Sequence, residues 1–169
     1  MELAVSHLKK LGHEKIAYLS SALGSHIMQV RHRAFFQAMH HHGLKADPDS
    51  AGCSLYLSEC MEKHLPRFLD MGMTAVICCQ DTFASAAITQ CRQLGFRVPQ
   101  DISIIGFDAL PICPYTSPPL TSVRQERTEL GKSGYYALNS LLNKVSIGTI
   151  FLHAQLIERE SSGPAPERK

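Results

Sequence analysis

The sequence predicts an α/β fold built on a doubly wound parallel sheet. Three observations carry this. Strand-like runs alternate with helical patterns of about 10 or more residues as far as Phe107, which calls for right-handed crossovers. Thr74–Cys79 and Ile102–Phe107 are continuous apolar runs of the kind buried on both faces of a parallel sheet. Gly12, Gly43 and Gly95 stand where helical patterns stop.

Each element has its own justification. Leu3, Val5, Leu8 and Leu11 put apolar groups on one side of a first helix, and Lys15–Ser20 then reads as a buried strand. A second helix from about Ile27 carries Val30, Phe35, Ala38 and Met39 inward. Cys53–Leu57 reads as a short strand, followed by a helix that Ser58 caps, that runs to about Leu69 and that Pro66 kinks or shortens. After the Thr74–Cys79 strand, Asp81 is placed to cap a helix reaching Leu94. Pro111, Pro114, Pro118 and Pro119 mark a loop that reads as a crossing between lobes. It leads to a strand at Leu120–Arg124, a helix from about Glu126 to Asn143 and a last strand near Ile150–Ile157. Residues after Arg159 read as a tail.

Composition narrows the function. The 44% hydrophobic content suffices for one ordinary core, so the 169 residues form one domain or a large piece of one. A formal charge of +2 makes no field that would hold nucleic acid or a membrane surface. Cys53, Cys60, Cys78, Cys79, Cys91 and Cys113 form no CxxC pair, which fits a reduced, cytoplasmic compartment. No run approaches the roughly 18 apolar residues of a membrane span, and no signal-peptide pattern opens the sequence.

Open parallel sheets bind ligands at the carboxyl ends of their strands, where loops vary and helix N-termini point at the site. Ser20, Ser21, Gln80, Asp81 and Asp108 all fall at such ends. Arg31 lies in the second turn of its helix, and its side chain leans back toward the same crevice. Its planar donor fork suits paired hydroxyls or a carboxylate, Asp108 offers acceptors, Gln80 offers both, and Tyr56 could cover an apolar ring face. Arg31, Asp108, Gln80, Asp81 and Tyr56 are thus the candidate ligand-binding set. Three of them have a competing role: Asp81 as an N-cap, Arg31 as a solvated charge, Tyr56 as a core side chain.

No metal site, cofactor or catalytic group is expected. His40, His41 and His42 follow one another on a helix and so point in different directions, and no carboxylate stands at a helpful i,i+4 spacing. Nucleophile elbows, phosphate-binding glycine loops, HExxH and paired-carboxylate signatures are absent from the sequence, which disfavours an enzyme.

Several segments, in order and over nearly the whole chain, resemble the LacI/GalR family of bacterial transcription regulators. Ala4-Val5-Ser6-His7-Leu8 through Leu11-Gly12-His13-Glu14-Lys15-Ile16-Ala17 is similar to the family's A-x-x-H-L-x-x-L-G-H-x-x-I-A. Arg31-His32-Arg33-Ala34-Phe35 resembles R-x-x-G-F, and Thr74 through Ala84 resembles T-A-V-x-x-x-N-D-x-x-A. The most specific stretch is Val98 through Asp108, followed by Pro118-Pro119-Leu120-Thr121-Ser122-Val123 and Arg159-Glu160-Ser161.

The resemblance implies a periplasmic-binding-protein-like type I fold, here the second lobe plus the returning part of the first. Residues 1–109 would form the C-terminal lobe, 110–145 the crossover and returning part, 146–159 the final strand, and 160–169 the tail. It implies a small-molecule effector, a sugar or related metabolite, and no membrane contact. Operator DNA would be reached only through a helix-turn-helix head outside this sequence. Arg31 and Asp108 match effector-contact positions, Gln80 and Asp81 match an Asn-Asp pair at the cleft, and Tyr56 approximately matches a stacking aromatic. A homodimer would use the Thr82–Leu94 helix, Ile88 and Gln90 included, and the segment Leu110–Thr116. Without a covering lobe, Leu120, Val123, Leu138, Leu141 and Leu142 would be exposed. Ala34, Gln80, Ala109 and Glu126 depart from the family's usual glycine, asparagine, acidic or amide residue, and proline. A sugar-binding protein of the same fold feeding a transporter is the alternative.

Overall fold

The computed structural model describes residues 1–167 and has six strands: β1 (Ile16–Ser21), β2 (Ala51–Ser54), β3 (Ala75–Cys78), β4 (Ser103–Phe107), β5 (Thr121–Arg124) and β6 (Gln155–Ile157). They form one sheet in the order β2-β1-β3-β4-β5-β6, parallel throughout except that β6 runs antiparallel to β5. The expected doubly wound sheet is borne out. Winding starts at β1, goes outward to β2, and then continues from β3 on the other side, so the strand order switches between β1 and β3.

Helix α1 (Glu2–Lys10) packs on α2 (His26–His41) over one face of the sheet. The other face carries a composite helix and α5 (Asp81–Gln93). The apolar stripes decide these contacts. Helix α2 buries Met28, Arg31, Phe35, Ala38 and Met39, the spacing of one helical face, whereas Val30 falls off that stripe and is exposed. Leu3 likewise lies outside the buried Ala4, Val5 and Leu8 of α1. Tyr18 of β1 stacks on Phe35 with ring centroids 5.3 Å apart. Burying a side chain of that size typically contributes about 1.5–3 kcal/mol, so these two rings anchor α2 to the sheet.

The stretch around β2 departs from expectation. The strand is Ala51–Ser54 rather than Cys53–Leu57, because Asp47 and Ser50 close a capping box that turns the chain into the sheet earlier. Ser58 is no cap. Helix starts at α3 (Leu57–Glu59), passes through a π turn at Cys60–His64 and ends in α4 (Leu65–Asp70). Pro66 stands in the first turn of α4, and the wider π turn before it accommodates the backbone carbonyl that proline cannot bond. His64 of that turn sits so close that a Cβ on Gly52 would come within 2.6 Å of it.

Two further corrections concern the end of the chain. β5 pairs in parallel with β4, so the chain leaves this sheet after Arg124 and not at residue 110. Leu120 and Val123 are therefore buried, while Leu138, Leu141 and Leu142 of α6 (Arg127–Leu142) are exposed. The segment after Arg159 is no loose tail. The Ser161 hydroxyl donates to Ile104 O at 2.6 Å and accepts from Thr121 N at 2.8 Å, which inserts it between the starts of β4 and β5. Ser103 Oγ and the His13 ring both bond Gly163 O, and Ala165 N donates to Leu11 O. Small polar residues without periodicity give no local signal for such cross-linking. Arg168 and Lys169, part of the expected tail, lie outside the described residues.

Candidate functional site

The site begins with Arg31. Ser25 caps α2 by accepting from Met28 N at 3.3 Å, which sets where the helix starts and hence where its second turn lies. From there the Arg31 side chain, 9% exposed, reaches across the strand ends. Nη1 donates to Cys79 O just beyond β3 at 2.5 Å, and Nη2 donates to Asp108 Oδ1 just beyond β4 at 3.0 Å. The guanidinium carbon stands 4.0 Å from the centroid of the Phe107 ring, a cation–π contact that fixes its plane. One residue thus ties together the ends of α2, β3 and β4, beside the β1/β3 switch point.

Asp108 is held in an unusual backbone conformation. It has φ 101° and Ala109 has φ 47°, both in the left-handed region that L-residues avoid. Neighbouring bonds hold this turn. Asp108 N donates to Val123 O at 2.8 Å, Ala109 N donates to Ser122 Oγ at 3.1 Å, and Leu110 N donates to Asp81 Oδ2 at 2.6 Å. Ser122 Oγ in turn donates to Asp81 Oδ1 at 2.5 Å. Strain held in this way by surrounding structure is a mark of functional turns. Gly106 completes the arrangement, because a Cβ there would collide with the Asp81 carboxylate.

The predicted residues therefore separate. Arg31 and Asp108 meet. Gln80 is half-buried at the N-cap position of α5 without a side-chain cap bond, so its amide stands free of capping duty at the β3 end. Asp81 is fully buried and neither caps α5 nor faces the crevice; its oxygens are taken up by the β4–β5 turn. Tyr56 is 66% exposed, which overturns the core reading, and it lies just past β2, two strand spacings or about 10 Å from β3. Ser20 is fully buried, its hydroxyl on Met28 Sδ at 3.8 Å.

Phe107 and Ser122 have roles the sequence reading did not assign. The available signal was a Phe-Asp pair ending a buried strand opposite a helical Arg. Next to Phe107 lies a cavity of about 220 Å³, lined also by Gln125, Glu126, Leu130 and His153. Cys79 sits beside the site, but burial pushes its thiol pKa up, and burial likewise raises Cys53 to about 11 and Cys91 to about 12. Such thiols stay protonated and behave as small apolar groups.

The comparisons agree with this architecture. Residues 5–162 match the periplasmic binding protein-like domain family. The chain is 35% identical over 165 residues to the HTH-type transcriptional repressor PurR of Pasteurella multocida, and 30% identical over 167 residues to the HTH-type transcriptional repressor CytR of Escherichia coli K12. Those matches cover 94% and 96% of this chain but 49% of each relative, so the chain spans about half the length of the curated relatives it matches. A sugar-binding transcriptional regulator of the LacI family from Escherichia coli, solved with phosphate, superposes with a TM-score of 0.86 at 27% identity over 98% of this chain and 60% of that one. The lac repressor dimer bound to operator and anti-inducer superposes with a TM-score of 0.84 at 25% identity over 96% of this chain and 57% of that one. This chain belongs to the periplasmic binding protein-like domain family, in the form found in the LacI/GalR regulators.

Proposed function

We propose that this chain is the effector-binding and dimerisation portion of a LacI/GalR-type transcription regulator acting in the cytoplasm. The observation that carries the reading is the Arg31–Asp108 pair, seated over Phe107 on a strained turn at the strand ends. The Asp108 side chain is 27% exposed, so its second oxygen is open to a ligand hydroxyl, while Arg31 uses two of its five N–H donors on Cys79 and Asp108 among the described residues. An acceptor and a donor fork side by side suit a sugar or a related polar metabolite. Gln80 serves as a third contact, Tyr56 as an outer one at the rim, and Asp81 as the support beneath. The matched relatives are repressors, and this reading assigns the chain no catalytic step.

In the same reading, residues from about 125 to 154 cross to a neighbouring lobe and return as β6, and operator DNA is held by a helix-turn-helix outside this sequence. A second copy of the chain covers the outer face of α5. Leu57, Met61, Ser85, Ala86, Thr89 and Ile112 line a groove of about 630 Å³ there. Ile88 is turned inward and takes no part.

Calorimetric titration with pentoses, hexoses and nucleosides tests the effector site. Losing a charge-assisted contact costs about 1.5–3 kcal/mol, or roughly ten- to a hundredfold in affinity, for Arg31→Ala or Asp108→Ala. Unchanged affinity in both variants would remove the pair from the site.

A further inference from the structure

We infer that Glu2, His41 and His42 form a site for a divalent transition-metal ion, Zn²⁺ or Ni²⁺, joining the start of α1 to the end of α2. Their ligand atoms all lie within 4.8 Å of one another. Glu2 Oε1 stands 2.9 Å from His41 Nδ1 and 2.7 Å from His42 Nε2. Ligands of a tetrahedral ion at about 2.1 Å stand about 3.4 Å apart, so small side-chain rotations admit the ion.

The two reasons for expecting no metal here do not hold in the fold. Consecutive histidines diverge inside a helix, but α2 ends at His41, and His42 is its C-cap with φ −84° and ψ 5°. The two rings lie 5.2 Å apart, tilted by 38°. The missing carboxylate comes from another helix, which no spacing along α2 could reveal. A second observation points to a ligand. His42 Nε2 is buried and has no hydrogen-bond partner, although Glu2 Oε1 is only 2.7 Å away, because the two are out of line for a hydrogen bond. A cation between them satisfies both lone pairs. Lys9 Nζ donates to His42 O at 2.6 Å, which fixes the backbone beneath that ring.

Two imidazoles and one carboxylate select a d-block ion over Mg²⁺ or Ca²⁺, which favour all-oxygen shells. The His41 and Glu2 side chains are 74% and 52% exposed, leaving the remaining coordination positions to water. At 1.5 Å rise per residue, His41 lies roughly 15 Å along α2 from Arg31, so the ion acts as a staple between helices and not as an effector contact.

The test is titration of the tag-free chain with ZnCl₂ and NiCl₂ by calorimetry. One ion per chain is expected, with affinity lowered at least about tenfold in each of Glu2→Ala, His41→Ala and His42→Ala. His40→Ala, one residue away, should bind as the unmodified chain does. Zn²⁺ should raise the melting temperature of the unmodified chain but not of Glu2→Ala, and circular dichroism checks that each variant is folded. The inference is overturned if no stoichiometric ion binds, or if binding is indifferent to Glu2 and His42, which would place the ion elsewhere among the nine histidines.

Discussion

Asp81 Oδ2 accepts the backbone N–H of Leu110 at 2.6 Å, so a carboxylate at the start of α5 holds the turn that aims Asp108 at Arg31. Asp81→Ala removes that bond and the one from Ser122 and should cost about 3 kcal/mol in urea unfolding. Gly106→Ala alone should cost about 1–3 kcal/mol, by collision with the same carboxylate. The double variant should lose less than the sum, because removing Asp81 removes most of the collision. Strict additivity would show that the two residues do not share a role.

Ala109 has φ 47°, where an L-residue pays about 1–2 kcal/mol that glycine does not. Ala109→Gly should therefore stabilise the chain by about 0.5–1 kcal/mol after the extra unfolded-chain entropy is subtracted. Thermal unfolding that shows a loss of stability would mean that the turn relaxes in solution.

Ser161 bridges Ile104 O and Thr121 N from within a segment that carries no regular structure. Ser161→Ala leaves both groups buried and partnerless on that side and should cost about 1–3 kcal/mol. Hydrogen exchange should quicken at Thr121 and its neighbours first. Uniform exchange across the sheet would argue against a local brace.

Burial lowers the pKa of His13, whose ring bonds Thr74 Oγ1 and Gly163 O at 2.9 Å each, and burial also lowers His7. A group whose folded pKa is depressed below 6.5 binds its proton more readily when unfolded. Stability is then fully present above pH 6.5 and is lost as pH falls through the folded value. The urea midpoint should drop between about pH 7.5 and about pH 5.5, and the drop should shrink in His13→Gln. An unaltered drop in that variant would assign the effect to other groups.

Association of the proposed dimer should depend on the outer face of α5. Ala86→Asp and Thr89→Arg should shift sedimentation toward monomer, since both residues line the groove there. If Leu138→Asp and Leu142→Asp abolish association while the α5 variants do not, contact runs through the exposed face of α6 instead.

Most of the fold was legible because its signals are local. The apolar runs at Thr74–Cys79 and Ile102–Phe107 became β3 and β4, and glycines with φ of 87° and 68° at positions 12 and 43 do follow the ends of α1 and α2. Asp108 was legible as a strand-end group, since alternation of strands and helices puts all such ends on one edge, and Arg31 as a helical side chain that leans back toward that edge. Asp81 was misread because a capping residue and a buried acceptor look identical in sequence. β2 was shifted because its entry depends on a capping box preceding it, and its exit on a π turn that no periodicity encodes.

By itself, then, the sequence determined the doubly wound sheet, the order of its elements and the edge on which polar groups gather, because periodicity and turn chemistry act over a few residues. Tertiary structure decided which polar residues meet. Asp81 with Leu110 and Ser161 with Ile104 are pairs far apart in the chain joined by single hydrogen bonds, and Glu2 with His42 is a close approach of the same kind, whose partners only the closed sheet and its packed helices bring within reach.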